Sequence, residues 1–149
     1  MKLKVCGMRE FENITSLCKL KPNYIGFIFW APSERYVTDK TPKIDDSIKK
    51  TGVFVNASID YIETMIVKHQ LSAVQLHGDE TPDYCKVIKN LNVEVIKTFS
   101  ISNNYNFSIL KGYEKNCDFF LFDTKGDLPG GNGINSVSYT HLTLPTIRT

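Results

Sequence analysis

The sequence lacks the features that mark several common classes of protein. No apolar run approaches the roughly 18 residues of a membrane-spanning helix, and the first residues contain no apolar stretch of a signal peptide. The formal net charge is only +2, from 18 Lys and Arg against 16 Asp and Glu. A nucleic-acid or anionic-membrane partner would call for clustered positive charge. We therefore expect a cytoplasmic protein with no nucleic-acid and no membrane partner.

The four cysteines also lack the spacing of a metal site or a redox motif. No Cys-x-x-Cys pair occurs, and the histidines at positions 69, 77 and 141 do not cluster with cysteines at zinc spacing, so we predict no metal. Isolated cysteines in a cytoplasmic chain are typically reduced and buried. That interpretation fits Cys18, Cys85 and Cys117, whereas Cys6 lies at the end of a predicted strand and is a candidate for chemistry.

Short apolar runs alternate along the chain with segments of helical periodicity. Because the runs are nearly continuous in hydrophobicity, they predict strands of a parallel sheet covered on both faces. Ser58 and Thr81 have the character of helix N-caps, and Pro82 suits a first helical position. The connection from 31 to 50 carries two prolines and predicts a loop with at most a short helix. The predicted strands are Leu3–Cys6, Tyr24–Trp30, Gly52–Asn56, Ala73–His77, Val93–Phe99 and Phe119–Asp123.

Two architectures fit this alternation, an open doubly wound sheet and a (β/α)8 TIM barrel. A doubly wound sheet usually has a glycine-rich G-x-G-x-x-G first turn, and the turn after the first strand lacks that pattern. A barrel instead places polar and ionisable residues at the carboxyl ends of several strands. Such residues are Cys6, Asn56, His77 and Asp123 at predicted strand ends, with Arg35 shortly after the second strand. The pattern favours the barrel.

The length does not suffice for a whole barrel, which typically needs eight units and about 250 residues. We therefore predict a (β/α)8 barrel truncated after strand 6, occupying residues 1–134, with about six of the eight units present. Residues 135–149 show no helical stripe, and we interpret them as a tail foreign to the domain, although 137–144 has some strand character. Strands 1 and 6 would then be open edges, and this chain alone would be inactive or nearly so.

Residues two apart share a face of a strand, so the strand ends can be assembled into a candidate site. Lys4 would point the same way as Cys6, and Gln75 the same way as His77. A thiol acts as a base only as thiolate, which a nearby ammonium favours. A carboxyl group acts as an acid near neutral pH if apolar surroundings raise its pKa, and the residues before Asp123 are apolar. Each residue also has a plainer explanation, as a buried thiol, a turn residue or a surface residue.

Seven short motifs follow one another in order along the chain: Lys4–Met8, Gly26–Phe29, Ser33–Val37, Gly52–Asn56, Val74–Glu80, Phe122–Gly126 and Gly130–Gly133. This ordered set resembles the phosphoribosylanthranilate isomerase family of tryptophan biosynthesis. The resemblance implies an aldose–ketose isomerase without metal or organic cofactor. Its reaction would be the Amadori rearrangement of a small phosphorylated sugar–anthranilate substrate, N-(5-phosphoribosyl)anthranilate, to 1-(2-carboxyphenylamino)-1-deoxyribulose 5-phosphate.

The resemblance also implies a role for each matching residue. Cys6 would be the general base at the ribose C2 carbon, and Asp123 the general acid at the ring oxygen. Arg35 would meet the anthranilate carboxylate, since its planar fork of donors suits that group. Further substrate contacts would come from Gln75, His77 and Gly7, and an active-site loop from Gly130, Gly131 and Gly133. The alternative is a non-catalytic barrel fragment that pairs with its own copy or another chain. The oligomeric state stays open.

Overall fold

The computed structural model of the chain describes residues 1–124 and 146–148. Within them the strands alternate with three α-helices and one 3-10 helix. The strands are β1 (Lys4–Cys6), β2 (Tyr24–Ile28), β3 (Lys49–Phe54), β4 (Ala73–Leu76), β5 (Glu94–Ile101), β6 (Phe119–Thr124) and β7 (Thr146–Arg148). The helices are α1 (Phe11–Lys19), α2 (Ile59–His69), α3 (Pro82–Lys89) and the 3-10 helix Phe107–Gly112.

All strands pair in parallel in one sheet, in the order β6-β5-β4-β3-β2-β1-β7. From β1 to β6, each new strand is added beside the one before it. A doubly wound sheet would reverse direction at a switch point, whereas a (β/α)8 barrel continues in one direction. The observed order therefore has the sequential arrangement of six units of a barrel.

One sequence-based expectation about the sheet edges is wrong. We expected β1 to be an open edge, but β7 pairs with it in parallel, with Val5 opposite Ile147. The reason is that an edge strand presents unpaired backbone N–H and C=O groups, which any extended segment within reach can satisfy. The predicted strand character of 137–144 lies outside the described residues. On the far side of β6, no strand pairs among the residues that the structure describes.

Local signals located the helix starts correctly. The Ser58 hydroxyl accepts a hydrogen bond from the Tyr61 N–H at 3.2 Å, and the Thr81 hydroxyl accepts one from the Tyr84 N–H at 3.2 Å. Pro82 occupies the first turn of α3, as predicted. Residues 29–48, all within the described part of the chain, form turns and loop without a helix.

The third strand begins three residues earlier than predicted, at Lys49 instead of Gly52. Two lysines open it, which made this stretch look like loop. The Lys49 ammonium pairs with the Glu94 carboxylate, and the Lys50 ammonium donates to the Pro42 carbonyl at 2.8 Å. These partners satisfy charges that a buried parallel sheet otherwise excludes.

The sheet separates two layers of apolar side chains. Outward-facing residues such as Phe27, Phe54 and Leu76 join the larger core that lies under the helices. The smaller inner cluster fills the amino-terminal part of the sheet's concave face and consists of Tyr24, Ala73, Ile96 and Leu121. Because the side-chain period of a strand is two, the next inward positions along β4 and β6 are those of Gln75 and Asp123 in the predicted site.

Candidate active site

Four inward-facing polar residues, which lie on β4, β5 and β6 or directly after β4, form the first half of the site. The His77 Nε2 atom lies 3.4 Å from Asp123 Oδ2. The Gln75 side-chain amide nitrogen donates to the Thr98 hydroxyl at 3.1 Å and lies 3.5 Å from His77 Nδ1. Gln75, His77 and Thr98 are all less than a tenth exposed, and the Asp123 side chain is 18% exposed. The predicted grouping of Gln75, His77 and Asp123 is therefore present, and Thr98 joins it.

The second half of the site lies on β1 and β2. Cys6 and Lys4 are both buried and share the inward face of β1, as expected from their spacing. Cys6 lies opposite Gly26 in the sheet register. A methyl group on Gly26 would lie 2.7 Å from Cys6 Sγ and 3.1 Å from Lys4 Nζ. Both functional atoms thus occupy the space that the missing side chain of Gly26 leaves free.

Gly7 and Arg35 meet at the rim beside Cys6. Gly7 has a φ of +84°, a conformation that L side chains rarely adopt, and a methyl group there would lie 2.7 Å from Arg35 Cδ. The Arg35 N–H donates to the Ser33 hydroxyl at 3.1 Å, which holds the loop after β2. The half-buried Arg35 side chain therefore crosses the turn that follows the candidate base.

A buried ion pair supports the loop after β4 from the outer side of the sheet. The Lys97 ammonium lies 3.1 Å from Glu80 Oε1, and both side chains are at most 3% exposed. The Glu80 carboxylate also accepts from the N–H groups of Asn56 and Gly78, each at 2.9 Å. Sequence reasoning placed Lys97 in an apolar strand and missed this role. The available signal was the charge itself, since a lysine within a buried strand needs a partner.

Two tyrosines bind backbone carbonyls in the loops that follow β3 and β4. The Tyr84 hydroxyl donates to the Ala57 carbonyl at 2.5 Å, and the Tyr113 hydroxyl donates to the Glu80 carbonyl at 2.8 Å. Burial raises the pKa of Tyr84 to about 12, and burial also raises the pKa of Tyr113. Both phenols therefore stay protonated near neutral pH and keep donating.

The assembled residues can perform proton transfer at two sides of a bound molecule. Cys6 on β1 and Asp123 on β6 stand at the two ends of the six-strand arc, on its inward face. Gly130, Gly131 and Gly133 lie outside the described residues. Within residues 1–124 and 146–148, no group of three or more His, Cys, Asp or Glu side chains is arranged to hold a metal ion. None of the described helices has the length and apolarity needed to cross a membrane.

The chain is similar to proteins of one enzyme family. The family model described as N-(5'phosphoribosyl)anthranilate (PRA) isomerase matches residues 3–141. The chain is 41% identical to the N-(5'-phosphoribosyl)anthranilate isomerase of Phocaeicola vulgatus, over 89% of this chain and 65% of that protein. It is 40% identical to the isomerase of Parabacteroides distasonis, over 89% of this chain and 63% of that protein.

A solved structure extends the likeness to three dimensions. The crystal structure of phosphoribosyl anthranilate isomerase from Thermotoga maritima superposes with a TM-score of 0.76 at 28% identity. The superposition covers 88% of this chain and 65% of that one, and it confirms the predicted barrel fold for the six strands β1 to β6. The chain spans just under two thirds of the length of these relatives.

Proposed function

The chain belongs to the N-(5'-phosphoribosyl)anthranilate isomerase family, and from that membership we propose that its barrel mouth takes part in the Amadori rearrangement of N-(5'-phosphoribosyl)anthranilate. The observation that carries the proposal is the placement of Cys6 and Asp123 on the inward face at the two ends of the arc, with His77 beside the carboxylate. Two proton-transfer groups facing one space are what this rearrangement requires.

The proposed reaction uses one acid and one base in sequence. Asp123 gives a proton to the ribose ring oxygen while the C1–O bond breaks, and the anthranilate nitrogen lone pair forms a C=N bond to C1. The Cys6 thiolate then removes the proton from C2. The C–H electron pair forms the C1–C2 double bond, and the C=N electrons return to nitrogen. The product is the enol-amine of 1-(2-carboxyphenylamino)-1-deoxyribulose 5-phosphate, and the exchange of protons with water restores both groups.

The remaining residues would bind and orient the substrate. Arg35 lies over Gly7, next to Cys6 in the chain, and its guanidinium can donate two parallel hydrogen bonds to the anthranilate carboxylate. Gln75 would orient the His77 ring, since its side-chain amide lies next to Nδ1. The Oε1 atom of Gln75 has no hydrogen-bond partner among the described residues, so it can accept a hydrogen bond from a substrate hydroxyl.

The test is the turnover of N-(5'-phosphoribosyl)anthranilate, followed by the loss of its anthranilate-type fluorescence. The chain is assayed alone and mixed with the part of the Phocaeicola vulgatus relative that this chain does not cover. We expect turnover in at least one preparation, and Cys6→Ala and Asp123→Asn should each lower it by about 10²–10⁴-fold. Cys18→Ala, on α1, and the exposed Asp46→Asn serve as matched controls and should keep the parent activity. Near-parent turnover by either site variant would contradict the assigned roles.

A second candidate function is a non-catalytic partner that pairs with another chain. The specific observation is the side of β6 that carries no strand among the described residues. Such an edge exposes a row of backbone donors and acceptors that a further strand can bind. Size-exclusion chromatography separates the two functions. A defined oligomer that folds cooperatively without turnover in either preparation would favour the pairing function and refute the catalytic one.

A further inference from the structure

The carbonyl groups of the two residues that flank His77 are bound by one buried ammonium group. The Lys97 Nζ atom donates to the Gly78 carbonyl at 2.7 Å and lies 3.5 Å from the Leu76 carbonyl oxygen. It also donates to the Thr98 carbonyl at 2.9 Å. Because Leu76 and Gly78 flank His77, the ammonium fixes the backbone immediately before and after the residue that faces Asp123.

The Glu80 carboxylate completes this arrangement from the same side of the sheet. It accepts from the Gly78 N–H, which belongs to the peptide unit that follows His77, and from the Asn56 N–H at the end of β3. The His77 N–H itself donates to the Phe54 carbonyl at 2.8 Å. The N–H groups of His77 and Gly78 and the carbonyls of Leu76 and Gly78 are thus all bonded to β3, to β5 or to the carboxylate that the β5 lysine holds.

A general role in stability does not by itself account for this pattern of contacts. Burying two charges is costly, and an apolar pair of similar volume often stabilises a fold equally well. The other ion pair of β5, between Lys49 and Glu94 at the amino-terminal end of the strands, offers a comparison. Glu94 there binds side chains, the Lys49 ammonium and the Tyr24 hydroxyl, and holds no part of the site. The contacts of Glu80 and Lys97 are instead directed at the loop that carries His77.

We propose that Glu80 and Lys97 are positioning residues that hold the His77 imidazole against Asp123. The inference rests on the proposed function in one respect, since that function gives the contact between His77 and Asp123 its chemical purpose. The pair acts through the backbone of residues 76–78, on the opposite side of the sheet from the substrate.

The primary test observes the His77 ring by NMR in the whole chain and needs no turnover. The ring signals are assigned with His77→Gln, and Asp123→Asn defines how far the His77 signal responds to its neighbour. We expect Lys97→Met to shift the His77 signal and to reduce its response to Asp123→Asn by at least half. The signal of His69, which lies on α2, should not move. Glu94→Gln, on the same strand, is the matched control and should leave both His77 measurements unchanged.

A second variant covers the case in which Lys97→Met leaves Glu80 as an unpaired buried charge and prevents folding. The double variant Glu80→Gln with Lys97→Met removes both charges and keeps an amide oxygen for the N–H groups of Gly78 and Asn56. A cooperatively folded double variant whose His77 signal and Asp123 response match the parent would overturn the proposal. A double variant that does not fold would assign the pair to the general scaffold and overturn it as well.

Kinetics then separate this inference from the proposed function. In the preparation that turns over, Lys97→Met should lower kcat at least tenfold while KM changes less than twofold, because the substrate does not touch the pair. If no preparation turns over but the NMR response behaves as expected, the proposed function fails and the positioning role stands. If turnover depends on Cys6 and Asp123 while the NMR response is unchanged, the positioning role fails and the proposed function stands.

Discussion

The space opposite the Cys6 thiol gives the sharpest stability prediction. Gly26→Ala would place a methyl carbon 2.7 Å from Cys6 Sγ, where nonbonded contacts are normally about 3.5–4.0 Å. Overpacking of this kind costs about 1–3 kcal/mol, and the lower entropy of the unfolded alanine chain offsets about 0.4–1 kcal/mol. From the middle of each range we therefore expect a net loss of about 1.3 kcal/mol. In a domain of this size that loss lowers Tm by roughly 3–5 °C.

The assay is urea unfolding followed by the fluorescence of Trp30, the one tryptophan of the chain. In a Cys6→Ala background the contact at 2.7 Å is gone, while Lys4 Nζ at 3.1 Å and the Cβ of residue 6 at 3.2 Å remain, so the same Gly26 change should cost at most about half as much. The matched control is Gly52→Ala on the outer face, whose methyl would lie 2.6 Å from Leu71 Cδ1. The loss of unfolding free energy caused by Gly52→Ala should be the same in the parent and in the Cys6→Ala background. Equal losses for Gly26→Ala in both backgrounds would refute the reasoning.

Three further predictions concern the titration of buried groups and the rim. Burial, together with the charge of Lys40, lowers the pKa of Lys50 to about 8, below its unfolded value of 10.5. Between these pH values the unfolded state binds more protons, so the free energy of unfolding should rise with pH by at most about 3 kcal/mol. Denaturation from pH 7.5 to 10 should show this rise in the parent and not in Lys50→Met. Burial lowers the pKa of His69, whose Nδ1 faces the Thr41 hydroxyl. The free energy of unfolding should therefore fall as the pH drops below about 6.5, and an equally steep fall in His69→Gln would contradict this assignment. Gly7→Ala should lower Tm and raise KM more than it lowers kcat, because the added methyl strains a positive φ and displaces the Arg35 side chain. An unchanged KM in steady-state kinetics would contradict the proposed contact between Arg35 and the substrate.

Short-range signals in the sequence predicted the parallel strands and the starts of α2 and α3. Continuous apolar runs, N-caps and an early proline depend on residues close together in the chain, and the structure confirms them at Ser58 and Thr81. The apolar spacing of α1, in which Phe11 and Ile14 stand three residues apart, was less informative. Ile14 is buried as an amphipathic helix requires, but Phe11 is 67% exposed. A period of 3.6 indicates a face, and the width of the covered part depends on what packs against it.

Local periodicity likewise predicted one part of the candidate site and not the other. The period of two in a strand placed Gln75 with His77 and Lys4 with Cys6, and both pairings hold. The catalytic roles of Cys6 and Asp123 stay predictions that the turnover assay decides. The contact between His77 and Asp123 joins two strands that are 46 positions apart in the chain, and their proximity could only be expected from the barrel hypothesis.

Local patterns along the chain predict the parallel βα units, the helix caps and the polar residues at the strand ends, because each depends on periodicity or on the chemistry of single residues. The groups that support these residues became visible only in three dimensions. The register of β1 on β2 places Gly26 opposite Cys6, where the missing side chain of the glycine leaves space for the thiol. The approach of β5 to the loop after β4 pairs Lys97 with Glu80. The pairing of β7 with β1 is another contact of this kind between distant segments. Such contacts depend on register and on the three-dimensional meeting of distant segments, which local patterns do not encode.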